Sequence, residues 1–169
     1  MAAAPNKGYH KASHGDQVKK ILLALVCLLV TAAPLWAQKA GDAGVGVILG
    51  APTAITGKLW LDGTRALDAG LGWSSELTVY GDYLWHGWDV LPQPAEGKLP
   101  VYLGMGAQVR TFHDAEFGIR AVAGMAYWLP RHPVEIFVEL VPVFRLTPGT
   151  SVGLDAGLGL RYYFKSSLI

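Results

Sequence analysis

Ser151-Val152-Gly153-Leu154-Asp155-Ala156-Gly157-Leu158-Gly159-Leu160-Arg161-Tyr162-Tyr163-Phe164 decides how this chain is read. Successive side chains of an extended strand point to opposite sides. Val152, Leu154, Ala156, Leu158, Leu160, Tyr162 and Phe164 therefore share one face, and Ser151, Gly153, Asp155, Gly157, Gly159, Arg161 and Tyr163 share the other. The first face carries no charge; the second is small, polar and charged. The same period of two recurs upstream. Val101, Leu103, Met105, Ala107 and Val109 oppose Tyr102, Gly104, Gly106, Gln108 and Arg110, and Val134, Ile136, Val138 and Leu140 oppose Glu135, Phe137, Glu139 and Val141.

Working outward from these segments, the pattern predicts eight strands, over 44–49, 55–61, 66–73, 77–86, 101–110, 117–128, 134–145 and 151–164. Turn chemistry separates them: Ala51-Pro52-Thr53, Asp62-Gly63, Ser74-Ser75, His113-Asp114, 130–133 with a proline at each end, and Pro148-Gly149. The longest break, 87–100, holds Pro92, Pro94 and Gly97 and reads as a true loop. Pro142 falls on the apolar face and removes a ladder donor, which predicts a bulge there or a strand end near Val141.

All the strand charges collect on the second face: Lys58, Arg110, Arg120, Arg145 and Arg161 with Asp68, Asp82, Glu135, Glu139 and Asp155. A soluble barrel would turn that face to water. Two features oppose this. The face is mostly glycine, and beyond residue 40 the only lysines are Lys58, Lys98 and Lys165, whereas solvated strands need charge, lysine above all. The two signs also balance, as they must when packed together in a narrow lumen. The expectation is an all-β, eight-stranded antiparallel up-and-down transmembrane β-barrel, apolar face to lipid, with the ten charged groups as structural lumen ion pairs. Arg161 and Asp155 lead that set, with Glu135, Glu139 and Arg120 as their expected partners. Eight strands leave an interior that side chains just fill, and a membrane demands closure because open edges strand polar backbone in hydrocarbon. Trp60, Trp73, Tyr83, Trp85, Tyr127, Trp128, Phe144, Tyr162 and Phe164 cluster at segment ends, where interfacial girdles would put them.

Ahead of the barrel, Lys19-Lys20 precedes an apolar run over 21–33, followed by Pro34-Leu35-Trp36-Ala37 and polar Gln38-Lys39. The run is shorter than the roughly 20 residues a helix needs to span. It reads as a signal peptide cut after Ala37, so 1–37 is an N-terminal extension with signal peptide and 38–169 the barrel. Val18, directly before Lys19-Lys20, is where an internal GUG start would fall. The sole cysteine, Cys27, lies in the removed segment, leaving no thiol for a disulfide, metal or nucleophile. The expected location is the outer membrane of a Gram-negative-type bacterium.

The run Gly157-Leu158-Gly159-Leu160-Arg161-Tyr162-Tyr163-Phe164 resembles the C-terminal signal of bacterial outer-membrane barrels, with the match on Gly159, Tyr162 and Phe164; Lys165-Ser166-Ser167-Leu168-Ile169 follows where such signals end. The resemblance implies the barrel-assembly machinery as a partner. Five further runs are similar to the DUF3996-type family of small bacterial proteins built on the OmpA/OmpX-like barrel: residues 47–53, Gly57-Lys58-Leu59-Trp60, residues 66–73, Asp82-Tyr83-Leu84-Trp85-His86 and Arg161-Tyr162-Tyr163-Phe164. That resemblance implies fold and location and no activity.

Enzymatic barrels set a test. Lipid A deacylases resemble one another in a His-x-Ser pair, but His86, His113 and His132 are followed two residues on by Trp88, Ala115 and Val134. Palmitoyl-transferring barrels use His, Asp and Ser near the rim; His113, Asp114 and Glu116 mimic part of that set in a turn. His86, beside Asp82, reads as a lumen histidine without further metal ligands, and the Gly-rich stretch 41–50 lacks the Lys-Ser/Thr of a phosphate loop. The net charge of +1 suggests no nucleic-acid partner. The expectation is a non-enzymatic barrel with a filled lumen and a structural or surface-interaction role, with outer-membrane lipid, and conceivably an extracellular protein, as partners, and with no cofactor or catalytic residue. The alternatives are a soluble, lipocalin-like periplasmic barrel holding a small apolar ligand and a lipid-modifying barrel enzyme. Leu158→Arg is expected to block insertion, and Gly159→Ser to be milder.

Overall fold

A computed structural model describes residues 39–73, 76–111 and 115–164. The signal segment with Val18, Cys27 and Ala37, the His113-Asp114 pair and the tail after Phe164 lie outside the described residues. Eight strands form: β1 (Ala43–Gly50), β2 (Ala54–Trp60), β3 (Arg65–Trp73), β4 (Leu77–Gly87), β5 (Val101–Thr111), β6 (Ala115–Trp128), β7 (Val134–Arg145) and β8 (Ser151–Phe164). Each pairs antiparallel with its chain neighbour, and β8 pairs with β1, closing the barrel.

The register fixes the shape. From Tyr162, a walk from partner to partner passes Val45, Gly57, Ala69, Gly81, Ala107, Ile119 and Phe144 and returns to β8 at Val152, ten residues from its start. Such a stagger forces the strands to tilt by roughly 35–45° to the barrel axis.

Alternation now acquires a direction. Outward side chains include Val47, Leu71, Val79, Leu103, Ile119, Leu140 and Leu158, all exposed. On the opposite parity of the strands, Lys58, Asp68, Asp82, Arg120, Glu139 and Arg161 point inward and are buried. Among the described strand residues a single charge, Arg65, faces outward, at the very start of β3, where it pairs with Asp62 of the preceding turn.

The expected break at Pro142 does not occur. β7 runs through it to Arg145 with one register against β8. On the β6 side the pairing lapses at Val141 and Pro142 and resumes in the same register. A proline without an N–H costs a ladder bond on one side only; the intact β8 side and the closed barrel hold the strand in line.

The 88–100 link lies at the end of the barrel where β1 begins and β8 ends. It folds across that end: Trp88 donates its indole N–H to the Gly63 carbonyl at 2.7 Å, and Lys98 and Trp128 exchange backbone bonds. Gln93 pins the link internally, donating to the carbonyls of Trp88, Leu91 and Leu99 and accepting from the Leu99 N–H. The opposite end carries only short links.

Candidate functional site

The lumen is the only place where the strands gather polar chemistry among the described residues, and β8 supplies its centre. Arg161 is fully buried. Its guanidinium binds Asp68 of β3 and donates to Thr56 Oγ1 of β2 at 2.9 Å, while Glu135 and Glu139 of β7 lie 3.6 and 3.9 Å away. Lys58 of β2 crosses the lumen to Glu135 at 3.0 Å. Tyr102 donates to Glu139 at 2.7 Å, Tyr163 donates to Glu135, and Thr56 donates to Asp68 at 2.8 Å. A buried charge survives only when paired and hydrogen-bonded; here two cations face three carboxylates, and the Thr56, Tyr102 and Tyr163 hydroxyls each add a hydrogen bond to one of them.

A second group lies toward the short-link end. Arg120 sits 3.0 Å from Asp82 and donates to Gln108 at 3.3 Å. Arg110 binds Asp155, and Arg145 lies 2.9 Å from Glu116 at the half-exposed rim. All ten charged residues singled out from sequence thus lie in the lumen or its mouth. The partners differ in one respect: Asp155 binds Arg110, on the strand across the lumen, and not Arg161 or Arg120. Alternation places a side chain inward but says nothing of its height, and height selects the partner.

Glycine makes room for this packing. Tyr163 lies directly opposite Gly44, Tyr80 opposite Gly70, Tyr102 opposite Gly124 and Phe137 opposite Gly159. A Cβ on any of these glycines would fall 2.2–2.7 Å from the facing ring. The rings lie flat on the backbone and present their faces inward: Arg120 sits 4.0 Å from the Tyr80 centroid and Arg161 3.8 Å from that of Phe137. Gly159→Ser, expected to be milder than Leu158→Arg, still carries a packing cost that alternation does not show, since its Cβ would meet Phe137 Cζ at 2.2 Å.

No family model matches this chain, and no curated protein matches it. Solved structures are similar to it, two of them as follows. One is the crystal structure of the N-terminal β-barrel domain of Pseudomonas aeruginosa OprF, 17% identical with a TM-score of 0.49 over 73% of this chain and 96% of that one. The other comes from the de novo design of transmembrane β-barrels, 20% identical with a TM-score of 0.48 over 75% of this chain and 98% of that one. The resemblance to the DUF3996 type has no matching family model behind it.

At the end where β1 begins and β8 ends, aromatic rings close the lumen. Trp60 contacts His86 at 4.4 Å, Trp128 contacts Tyr163 at 4.6 Å, and Trp88 of the link stacks on Trp60 at 5.9 Å. Lys58 lies beneath, 5.2 Å from the Trp60 ring and 4.8 Å from that of Tyr102. This corrects the girdle reading of Trp60 and Trp128: both are buried inside. Trp60 shares the parity of Lys58, so the sequence held the signal. The outward aromatics are Tyr83, Trp85, Tyr127, Tyr162 and Phe164 at the terminus end and Trp73, Phe117 and Phe144 at the other. His86 is held between rings, with Nδ1 3.3 Å from the Thr64 carbonyl, and not against Asp82.

Of the residues resembling an insertion signal, Tyr162 and Phe164 point outward and touch, ring centroids 5.1 Å apart, while Gly159 points inward under Phe137.

Proposed function

We infer that this protein is a non-enzymatic barrel of the bacterial outer membrane, serving as a structural element of the envelope or as a contact surface, with a lumen sealed by its own side chains. The observation that carries this reading is inverted polarity. Exposed valine, leucine, isoleucine and aromatic side chains cover the outside, while Lys58, Asp68, Glu135, Glu139 and Arg161 are buried within. In water that arrangement would leave a continuous apolar surface far beyond the few hundred Å² a soluble monomer tolerates. In lipid it is the favourable one. Strands of about 9–11 tilted residues suffice to cross, and β3 to β8 run from 9 to 14. Tyrosine and tryptophan gather toward the ends of the outer face, where headgroups would meet them.

A lipocalin-like role would need an apolar cavity where the Arg161 cluster sits. A lipid-modifying role would draw on His113 with Glu116, but Glu116 is engaged by Arg145. The 157–164 run, with Tyr162 and Phe164 turned outward, suits recognition by the barrel-assembly machinery.

Fractionation tests the reading. The processed chain is expected to stay with membranes through carbonate and urea washes and to migrate anomalously on denaturing gels unless heated. Recovery of a stable, water-soluble form from the periplasm would overturn it. In planar bilayers the purified barrel is expected to give no steady conductance; long-lived open channels would defeat the sealed lumen.

A further inference from the structure

The wall of this barrel is not equally high all round. At the terminus end the strands finish level, and Ala43 at the start of β1 faces Phe164 at the end of β8. At the other end β1 stops at Gly50, opposite Gly157, and Ala51 donates one last N–H to the Ala156 carbonyl. β8 continues to Ser151, six residues further, paired there only with β7 among the described residues. A stagger of ten over eight strands accounts for little more than one of those residues. The rim therefore drops at the β8–β1 seam by about five residues, roughly 12 Å along the axis of a tilted strand. β1 and β2, with 8 and 7 residues, form the low side, whereas β6 and β8 have 14 each.

The step leaves an open strand edge. Ala156 turns its carbonyl toward β1, so Leu154 and Val152, two and four residues away, turn their backbone N–H and C=O the same way, where no described strand lies. Their side chains point outward and are exposed, at 66% and 69%. β1 begins and β8 ends at the far end. An unpaired edge in hydrocarbon is unfavourable for every stranded backbone group, and a low wall in a bilayer of ordinary thickness is a hydrophobic mismatch, relieved by thinning the bilayer beside it.

We propose that the β8–β1 seam is a membrane-thinning notch, where lipid headgroups and water descend on one flank to reach the backbone of Val152 and Leu154. The proposal rests on the membrane reading above. Its partner is the lipid of the leaflet at the short-link end, drawn down against β1 and β2 and held at full height against β4 to β6.

Spin labels test it in the full chain carrying Cys27→Ser, reconstituted in dioleoylphosphatidylcholine vesicles. Leu154→Cys marks the seam. Val109→Cys on β5, outward and three strands away, lies at the same height once the stagger is allowed for. The expected result is several-fold greater collision of the Leu154 label with a water-soluble nickel chelate, and less with oxygen, than for the Val109 label. The difference should shrink in vesicles of shorter acyl chains. Equal accessibilities with heat-modifiable, inserted protein would overturn the notch and leave the membrane reading standing. A seam label shielded from both probes would mean that a second copy covers the edge, and would also overturn it. Failure of the protein to enter any vesicle would defeat the membrane reading and the notch with it.

Discussion

The two faces of β8 differ more than the two ends of the molecule. Leu158 and Leu160 are exposed on one side, while Arg161, one residue on, is fully buried on the other. A soluble barrel of the same topology would carry the reverse. The difference shows that secondary structure here is indifferent to solvent: hydrogen bonds between strands form whichever face looks outward. What distinguishes the faces is the cost of each side chain in its medium. Charges are tolerated inside because partners surround them, and leucines outside because nothing polar has to be displaced from hydrocarbon.

The comparison breaks most severely at its centre. Arg161→Leu would leave Asp68, Glu135 and Glu139 around Lys58 alone, and removing one partner of a buried ion set costs about 3–5 kcal/mol. Urea unfolding of the inserted barrel should show that loss; wild-type stability would mean that water already screens the cluster. On the outer face, Leu158→Arg should cost about 2–4 kcal/mol near the bilayer midplane, read as failure to acquire the heat-modifiable band, whereas Leu158→Ala should insert normally. Gly159→Ser forces the Phe137 ring aside and should cost about 1–3 kcal/mol, as overpacking does, so one-residue neighbours on opposite faces would both be intolerant for unrelated reasons. The smallest effect lies outside the membrane. The backbone N–H of Thr64, then the Arg65 side chain, hold the exposed Asp62 carboxyl well below the usual carboxylate range. A depressed carboxyl stabilises the fold above its unfolded pKa and loses that contribution as pH falls through the folded one. Asp62→Asn should therefore lower stability slightly at neutral pH, where the contribution is fully present, and leave it unchanged in acid, so that a slight acid-side decline is flattened.

The contrast between the ends is gentler and concerns closure. At the terminus end, Trp60, Trp128, His86 and Trp88 stop the lumen and the 88–100 link lies across them. At the other end, ion pairs such as Arg145 with Glu116 are half exposed and the links are short. Outer-membrane barrels usually show the opposite distribution of loop length. Here the long connection serves as a cap, which explains why it need not project from the surface.

Much of this was legible in residue order. Period-two alternation in β5, β7 and β8 sets strand identity and facing, since a strand has only two sides. Composition sets polarity, because glycine, arginine and acid without lysine make a poor solvated surface. The same parity sends Trp60 and Trp128 inward, against the general tendency of tryptophan to sit at a membrane interface. Pro142 does not break β7 as the local rule for proline predicts, because the strand is held from its β8 side.

What alternation cannot supply is height. The amino-acid sequence by itself determined which residues share a side and which side is charged. Only the tertiary structure decided the ten-residue stagger, and with it that Asp155 meets Arg110, that Phe137 rests on Gly159, and that the wall drops where β8 meets β1. The reason is physical: facing follows from the geometry of one strand, whereas register is settled by all eight strands closing together.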